Sequence, residues 1–227
     1  RRLEDDLIDR TDLAFAGTGY LRDRYGDRLR GLRFLPSGVR YQRLADPVRE
    51  PIELQGLPHP RLLYVGTLND RLDGALFREA AEADRSGSVV VIGPKHATFH
   101  APDLPKNVHF LGLKPHEELP GFFQHCDLGL MPFADSPAAR AINPIKTLEY
   151  LACGLPVISS PIPDVLRYYP EVVRAEPPEN WLNAIREMLR EDSPEKQETR
   201  RQFARNRTWG RLVEDMEKEI EELEKRL

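Results

Sequence analysis

A chain of 227 residues, 40% of them hydrophobic, can bury a substantial core and fits one large or two small domains. Its 33 Lys plus Arg against 37 Asp plus Glu leave a formal net charge of -4, which excludes global attraction to nucleic acid or to an anionic membrane, so any basic partner surface is local. No apolar run approaches the roughly 20 residues of a bilayer crossing, the Arg-rich start lacks the apolar core of a signal peptide, and Cys126 and Cys153 lack C-x-x-C spacing, so a soluble, cytoplasmic chain with reduced, buried thiols is expected.

The opening Arg1-Arg-Leu, in place of methionine, reads as the start of a piece of something longer. Short apolar runs then alternate with amphipathic segments, the pattern of a parallel sheet covered by helices on both faces, so the expected fold class is α/β. Strands are predicted over 13–16 and 32–35 with a helix over 20–26 between them. Arg22, Arg24, Arg28, Arg30 and Arg33, interrupted by Asp23 and Asp27, read first as a solvated face, with docking to a membrane surface as the sharper alternative. Residues 1–45 hold too little to bury a core alone and must pack on something else. Between Ala45 and Pro60 the chain carries Pro47, Pro51, Gly56, Pro58 and Pro60 without a sustained period, an irregular connector (46–60) taken as a domain boundary.

Beyond it, strands are predicted over 61–65, 88–92, 108–111, 128–131, 156–159 and 172–174, and helices over 72–83, 116–123, 145–152, 181–191 and 194–205. Residues 61–208 thus form one domain. A terminal helix over 209–227 sets Leu212, Met216, Ile220, Leu223 and Leu227 at 4-4-3-4 spacing among Glu, Lys and Arg. That stripe suits a dimerisation helix, but fewer than three full heptads is short for an autonomous coiled coil, and intramolecular packing is preferred.

Chemistry enters at the strand ends. Tyr64-Val-Gly66-Thr67-Leu68 is a strand-to-helix turn whose free N–H groups and helix end suit a phosphate, although one glycine also serves a tight turn with no ligand. Arg71 on that turn suits bidentate pairing with a diphosphate, or equally a solvated ion pair with Asp70 or Asp73. Gly93 ends the next strand, where a missing Cβ permits close approach by a ligand or by the chain itself. After Gly112, the backbone at Leu113 and Lys114 could read a base edge. The most specific segment is Asn143-Pro144-Ile145-Lys146-Thr-Leu-Glu149-Tyr: Lys146 and Glu149 lie three apart at a helix start and share a face. A lysine there adds charge for a diphosphate, and a carboxylate one turn on can accept two hydroxyl hydrogen bonds from a ribose. The simpler reading is a salt bridge on a solvated helix, against which Leu148, Tyr150 and Leu151 argue for burial. His96 and His100 stand at i, i+4 without a third ligand, so no metal site is expected, and His116 and His125 read as loop and helix-surface residues.

The order of strand-Gly66, strand-Gly93, Asn107-Val-His-Phe-Leu-Gly112, 122–132, 143–150 and Gly154-Leu-Pro-Val-Ile158 resembles GT-B glycosyltransferases of group 1, in their C-terminal, nucleotide-sugar-binding half. The resemblance implies a Rossmann-like domain in which Glu149 holds the ribose, Lys146 and Arg71 contact the diphosphate, and Gly66, Thr67 and Gly93 lie at the facing strand ends. It further implies that the backbone at Leu113 and Lys114 faces the base and that Asn143, Pro144 and Ile145 contact phosphate or sugar. The implied activity is sugar transfer from a nucleotide-diphosphate donor, a UDP-sugar acting as substrate with no cofactor, to a saccharide or lipid-linked acceptor in polysaccharide or glycoconjugate synthesis. Peripheral contact with the inner face of a membrane is left open. Two departures bear on this. Ala141 stands where retaining members often carry the first glutamate of a Glu-x7-Glu motif, which leans toward branches transferring sugars such as glucuronate. Residues 1–45 look only like the last strand-helix-strand unit of the acceptor domain. The alternatives are a non-catalytic nucleotide-binding fragment and a GT-B epimerase, against which the Lys146/Glu149 pair favours the transferase.

Overall fold

The computed structural model describes residues 2–29, 31–143, 145–169 and 172–226, and in it each predicted apolar run is a strand. A six-stranded, all-parallel sheet contains β3 (Arg61–Val65), β4 (Ser88–Ile92), β5 (Val108–Gly112), β6 (Leu128–Met131), β7 (Val157–Ser159) and β8 (Val173–Ala175), in the order β5-β4-β3-β6-β7-β8. β3, β4, β6 and β7 are buried at every position, which is why they read as continuous Val, Leu and Ile runs, whereas the edge strand β5 is only partly covered.

Helices cover both faces, as a Rossmann-like α/β fold requires. On one side Phe77 of α4 (Gly74–Ala83) and Trp181 of α9 (Trp181–Glu191) pack over Leu62, Val89, Leu128 and Ile158. On the other, Phe122 and Phe123 of α5 (Leu119–Gln124), Leu148 and Tyr150 of α7 (Ile145–Ala152) and Ala204 of α10 (Pro194–Arg205) pack over Leu63, Val90 and Val157. Two boundaries differ from expectation for local reasons. The helix expected from residue 72 starts at Gly74, because Asp73 caps it through Ala75 N and Leu72 bridges to Phe133. The helix expected from 116 starts at Leu119, with Pro120 in its first turn and a tight turn before it.

The front unit is a separate two-stranded parallel sheet, β1 (Ala14–Ala16) with β2 (Leu32–Phe34), joined by α2 (Gly19–Tyr25). It packs on the larger domain: the Asp164 carboxylate accepts from Gly19 N at 3.0 and 3.1 Å, and Asn143 Nδ2 donates to Gly17 O at 3.0 Å. The arginine run is largely consumed within the chain. Arg24 and Arg28 face Glu4 and Asp5 of an unexpected helix, α1 (Arg2–Asp9), while Arg22 pairs with Asp23 and Arg33 with Glu219. Arg30 lies outside the described residues.

Where the chain leaves and re-enters the front unit the two crossings pair, Val39 N donating to Arg207 O at 2.9 Å beside a Val39–Thr208 bridge. The terminal helix α11 (Trp209–Glu224) then lies beside β2, with Leu212, Met216 and Leu223 half-buried and Ile220 exposed, so the stripe has an intramolecular contact. Leu227 lies outside the described residues. Among the described residues no helix is long and apolar enough to cross a membrane.

Cys126 and Cys153 are free thiols, the first buried and the second partly so. Burial pushes the Cys153 thiol up to about 12 and Cys126 higher still. Because the thiolate is the nucleophile, the native chain at pH near 8 is expected to stay unlabelled by iodoacetamide while the urea-unfolded chain takes two labels, a difference read by intact mass.

Candidate functional site

The sheet order reverses between β3 and β6, so the crevice of this α/β sheet opens beyond their carboxyl ends. Its floor is tightly stitched. Gly66 N donates to Ile92 O at 2.9 Å, and Gly93, at φ +138°, brings its backbone so close that a Cβ there would come within 2.0 Å of Gly66 O. The close approach that Gly93 permits is therefore made by the chain itself. Leu68 N donates to Pro94 O, Ala134 N to Arg71 O and Asp73 N to Pro132 O, each at 2.9 Å, joining the loops after β3, β4 and β6.

Arg71 is exposed on this floor, its N and Nε donating to Asn69 Oδ1 at 3.0 and 3.3 Å. Among the described residues it forms no ion pair: the Asp73 carboxylate is spent on the α4 cap. Thr67 is exposed beside it, with its carbonyl accepting from Tyr64 Oη at 3.1 Å. Burial pushes the Tyr64 phenol up, so it remains a protonated donor.

The helix α7 is fixed against this floor by Tyr150. Its hydroxyl accepts from Val65 N at 2.9 Å and donates to Leu63 O at 3.3 Å, and its ring stacks edge-on to Phe123 at 5.4 Å. Gly129 of β6 makes the room, since a Cβ there would sit 2.7 Å from Tyr150 Cδ2. The buried phenol thereby sets the height of α7 relative to β3 and places Lys146 and Glu149 at the crevice. Lys146 Nζ donates to Glu149 Oε2 at 2.5 Å and lies 5.9 Å from the Phe123 ring centre. The Glu149 side chain is 9% exposed and that of Lys146 22%, so the pair is not a solvated surface bridge. The other oxygen, Oε1, is 3.5 Å from His116 Nε2.

A cavity of about 340 Å³ reaches Glu149 and Ile145 from the side of the crossings, walled by Arg40, Arg43, His116 and Trp209. A larger one, about 740 Å³, lies away from this cluster between α11 and residues 33–37.

Other expected residues lie on neighbouring loops, Gly93 N donating to Gly112 O at 2.8 Å. Leu113 is 76% exposed just beyond β5, and Lys114 Nζ is tied to Glu53 of the connector, whose carboxyl it holds below the usual range. The Asn143 side chain bridges two segments, its Nδ2 donating to Gly17 O of the front unit and its Oδ1 accepting from the Tyr169 hydroxyl at 3.4 Å. Pro144 lies outside the described residues. His96 bonds Thr98 at 2.9 Å. The participation of His116 carried no sequence signal, because its contact with Glu149 joins two segments 33 positions apart that only the packing of α5 beside α7 brings together.

An exposed arginine, a lysine at a helix start and a nearly buried carboxylate acceptor are the groups a diphosphate attached to a diol would need. The family model of glycosyl transferases group 1 matches residues 59–191. TuaH of Bacillus subtilis (strain 168), provisionally named a teichuronic acid biosynthesis glycosyltransferase, is 26% identical over 93% of this chain and 57% of its own length. The sucrose-phosphate synthase (tll1590) from Thermosynechococcus elongatus superposes with a TM-score of 0.73 at 20% identity, over 100% of this chain and 62% of that one. Anabaena Alr3699/HepE, crystallised with UDP and glucose, superposes with a TM-score of 0.75 at 14% identity, over 97% and 66%. The chain thus spans less than two thirds of the length of these relatives. With the family match running over more than half of its residues, the chain belongs to the glycosyl transferases group 1 family.

Proposed function

We propose that this chain is the donor-binding part of a glycosyltransferase that passes a sugar from a nucleoside-diphosphate donor to an acceptor hydroxyl. The observation that carries the reading is the Lys146–Glu149 pair, nearly buried at the start of α7 and facing the crevice at the sheet reversal. In this reading Glu149 accepts the ribose hydroxyls, Lys146 and Arg71 meet the diphosphate, and the backbone at Gly66, Thr67, Leu113 and Lys114 lines its path. The acceptor hydroxyl oxygen attacks the anomeric carbon as the bond to the diphosphate oxygen breaks, its proton is released to solvent, and the cations with the α7 N-terminal amides take up the charge left on the leaving group. Residues 1–45 would be the end of the acceptor-binding domain and 46–60 the linker.

UDP is the favoured base carrier, because Alr3699/HepE was crystallised with UDP, and the name of TuaH supports an acidic polysaccharide as the product. Calorimetric titration of the chain with UDP, GDP and their glucose conjugates, without metal, tests the reading. Saturable one-to-one binding of one diphosphate series is expected; no heat with any of them overturns it.

A further inference from the structure

Glu149 is gripped twice. Oε2 faces Lys146 Nζ at 2.5 Å and Oε1 faces His116 Nε2 at 3.5 Å, while the carboxylate is 9% exposed. A ribose diol donating two hydrogen bonds needs an acceptor site on each oxygen. Lys146 leaves a free lone pair on Oε2, but the His116 ring in front of Oε1 stands in the approach from the cavity side. His116 is free to leave: its side chain is 54% exposed and it sits in the turn before α5. We propose that His116 is a positioning residue that holds Glu149 Oε1 against the ribose, so that the donor must displace the imidazole and binds less tightly when the imidazole is protonated.

The charge logic follows from the partners. A neutral imidazole at 3.5 Å makes at best a weak hydrogen bond to Oε1, whereas an imidazolium adds an ion pair in a partly desolvated place. Whatever protonation adds to the hold, the ribose must overcome, and by reciprocity the bound donor disfavours the proton. The groups facing His116 are Glu149 and Lys146 from α7, Glu117 beside it in the turn, and Arg40 and Arg43 across the cavity. Glu117 is held below the usual carboxylate range by a backbone N–H and by Arg43, 3.2 Å away, so it stays ionised.

This inference rests on the donor reading, and the test separates the two. UDP-glucose is the probe, since its diphosphate is esterified at both ends and carries no proton that titrates near neutrality. Calorimetry at about pH 8 and about pH 5.5 is run on the wild type, on His116→Gln and on His116→Asn. The wild type is expected to bind about three- to ten-fold more weakly at the lower pH. Both variants should bind with the same affinity at the two values, near that of the wild type at the higher pH. Wild-type binding unchanged with pH, or a drop that persists in both variants, overturns the role of His116 and leaves the donor reading standing. Absence of binding by the wild type at both values overturns the donor reading and this inference with it.

Discussion

Glu149→Ala is expected to lower nucleoside-diphosphate affinity about 100-fold or more while leaving the chain folded. A hydrogen bond to a charged acceptor is worth about 1.5–3 kcal/mol, and a ribose diol makes two, so losing the carboxylate removes at least about 3 kcal/mol against about 1.4 kcal/mol per decade of affinity. The fold survives because neither Lys146 nor His116 is stranded. Lys146 is 22% exposed and His116 54%, so both heads reach water once the carboxylate is gone, whereas α7 itself is held by Tyr150, Leu148 and Leu151. Titration with UDP, paired with a urea unfolding curve, checks both halves. A variant that binds like the wild type sinks the ribose role, and one that unfolds early would place Glu149 in the core rather than in the site.

The features visible in the sequence are those whose physics is local or periodic. A strand buried on both faces must be a continuous apolar run, so β3, β4, β6 and β7 stand out from composition alone. Amphipathic helices likewise announce themselves, and α7, α9 and α10 have the expected bounds. Four short helices do not: α1, α3 (Tyr41–Ala45), α6 (Pro137–Arg140) and α8 (Pro163–Tyr168) show too little of the pattern and are held by tertiary contacts such as Asp164 with Gly19 N. The Lys146/Glu149 pair was visible because both residues lie on one helix turn. What surrounds it was not, since His116, Trp209 and Arg40 come from segments far apart in the chain, and the fate of a polar side chain such as Asn143 depends on which distant carbonyl it meets.

The connector is where local reasoning falls shortest, and Arg61 shows why. Residues 46–60 carry no period and only one short turn, yet their carbonyls converge on a single guanidinium at the start of β3. Arg61 is 4% exposed; Nε donates to Leu57 O at 2.9 Å, Nη2 to Leu54 O at 2.8 Å, and Nη1 to His125 O at 3.2 Å as well as to the Glu50 carboxylate. Arg61→Met keeps the apolar stem and removes every one of these donors, stranding three carbonyls, and is expected to cost about 3–5 kcal/mol. The urea midpoint should fall with the slope unchanged, and UDP affinity should hold, because Arg61 lies at the end of β3 opposite Gly66. The hydrogen bond and charge of Arg61 hold the Glu50 carboxyl below its ordinary range. A depressed carboxyl contributes stability that is present above the unfolded value and lost as pH falls through the folded one. Wild type should therefore lose part of its margin over Arg61→Met in acid, below the ordinary carboxylate range, and unfolding curves at neutral and acid pH compare the two. A margin that stays constant with pH would mean that Glu50 contributes nothing and that the cost of Arg61→Met comes from the three carbonyls.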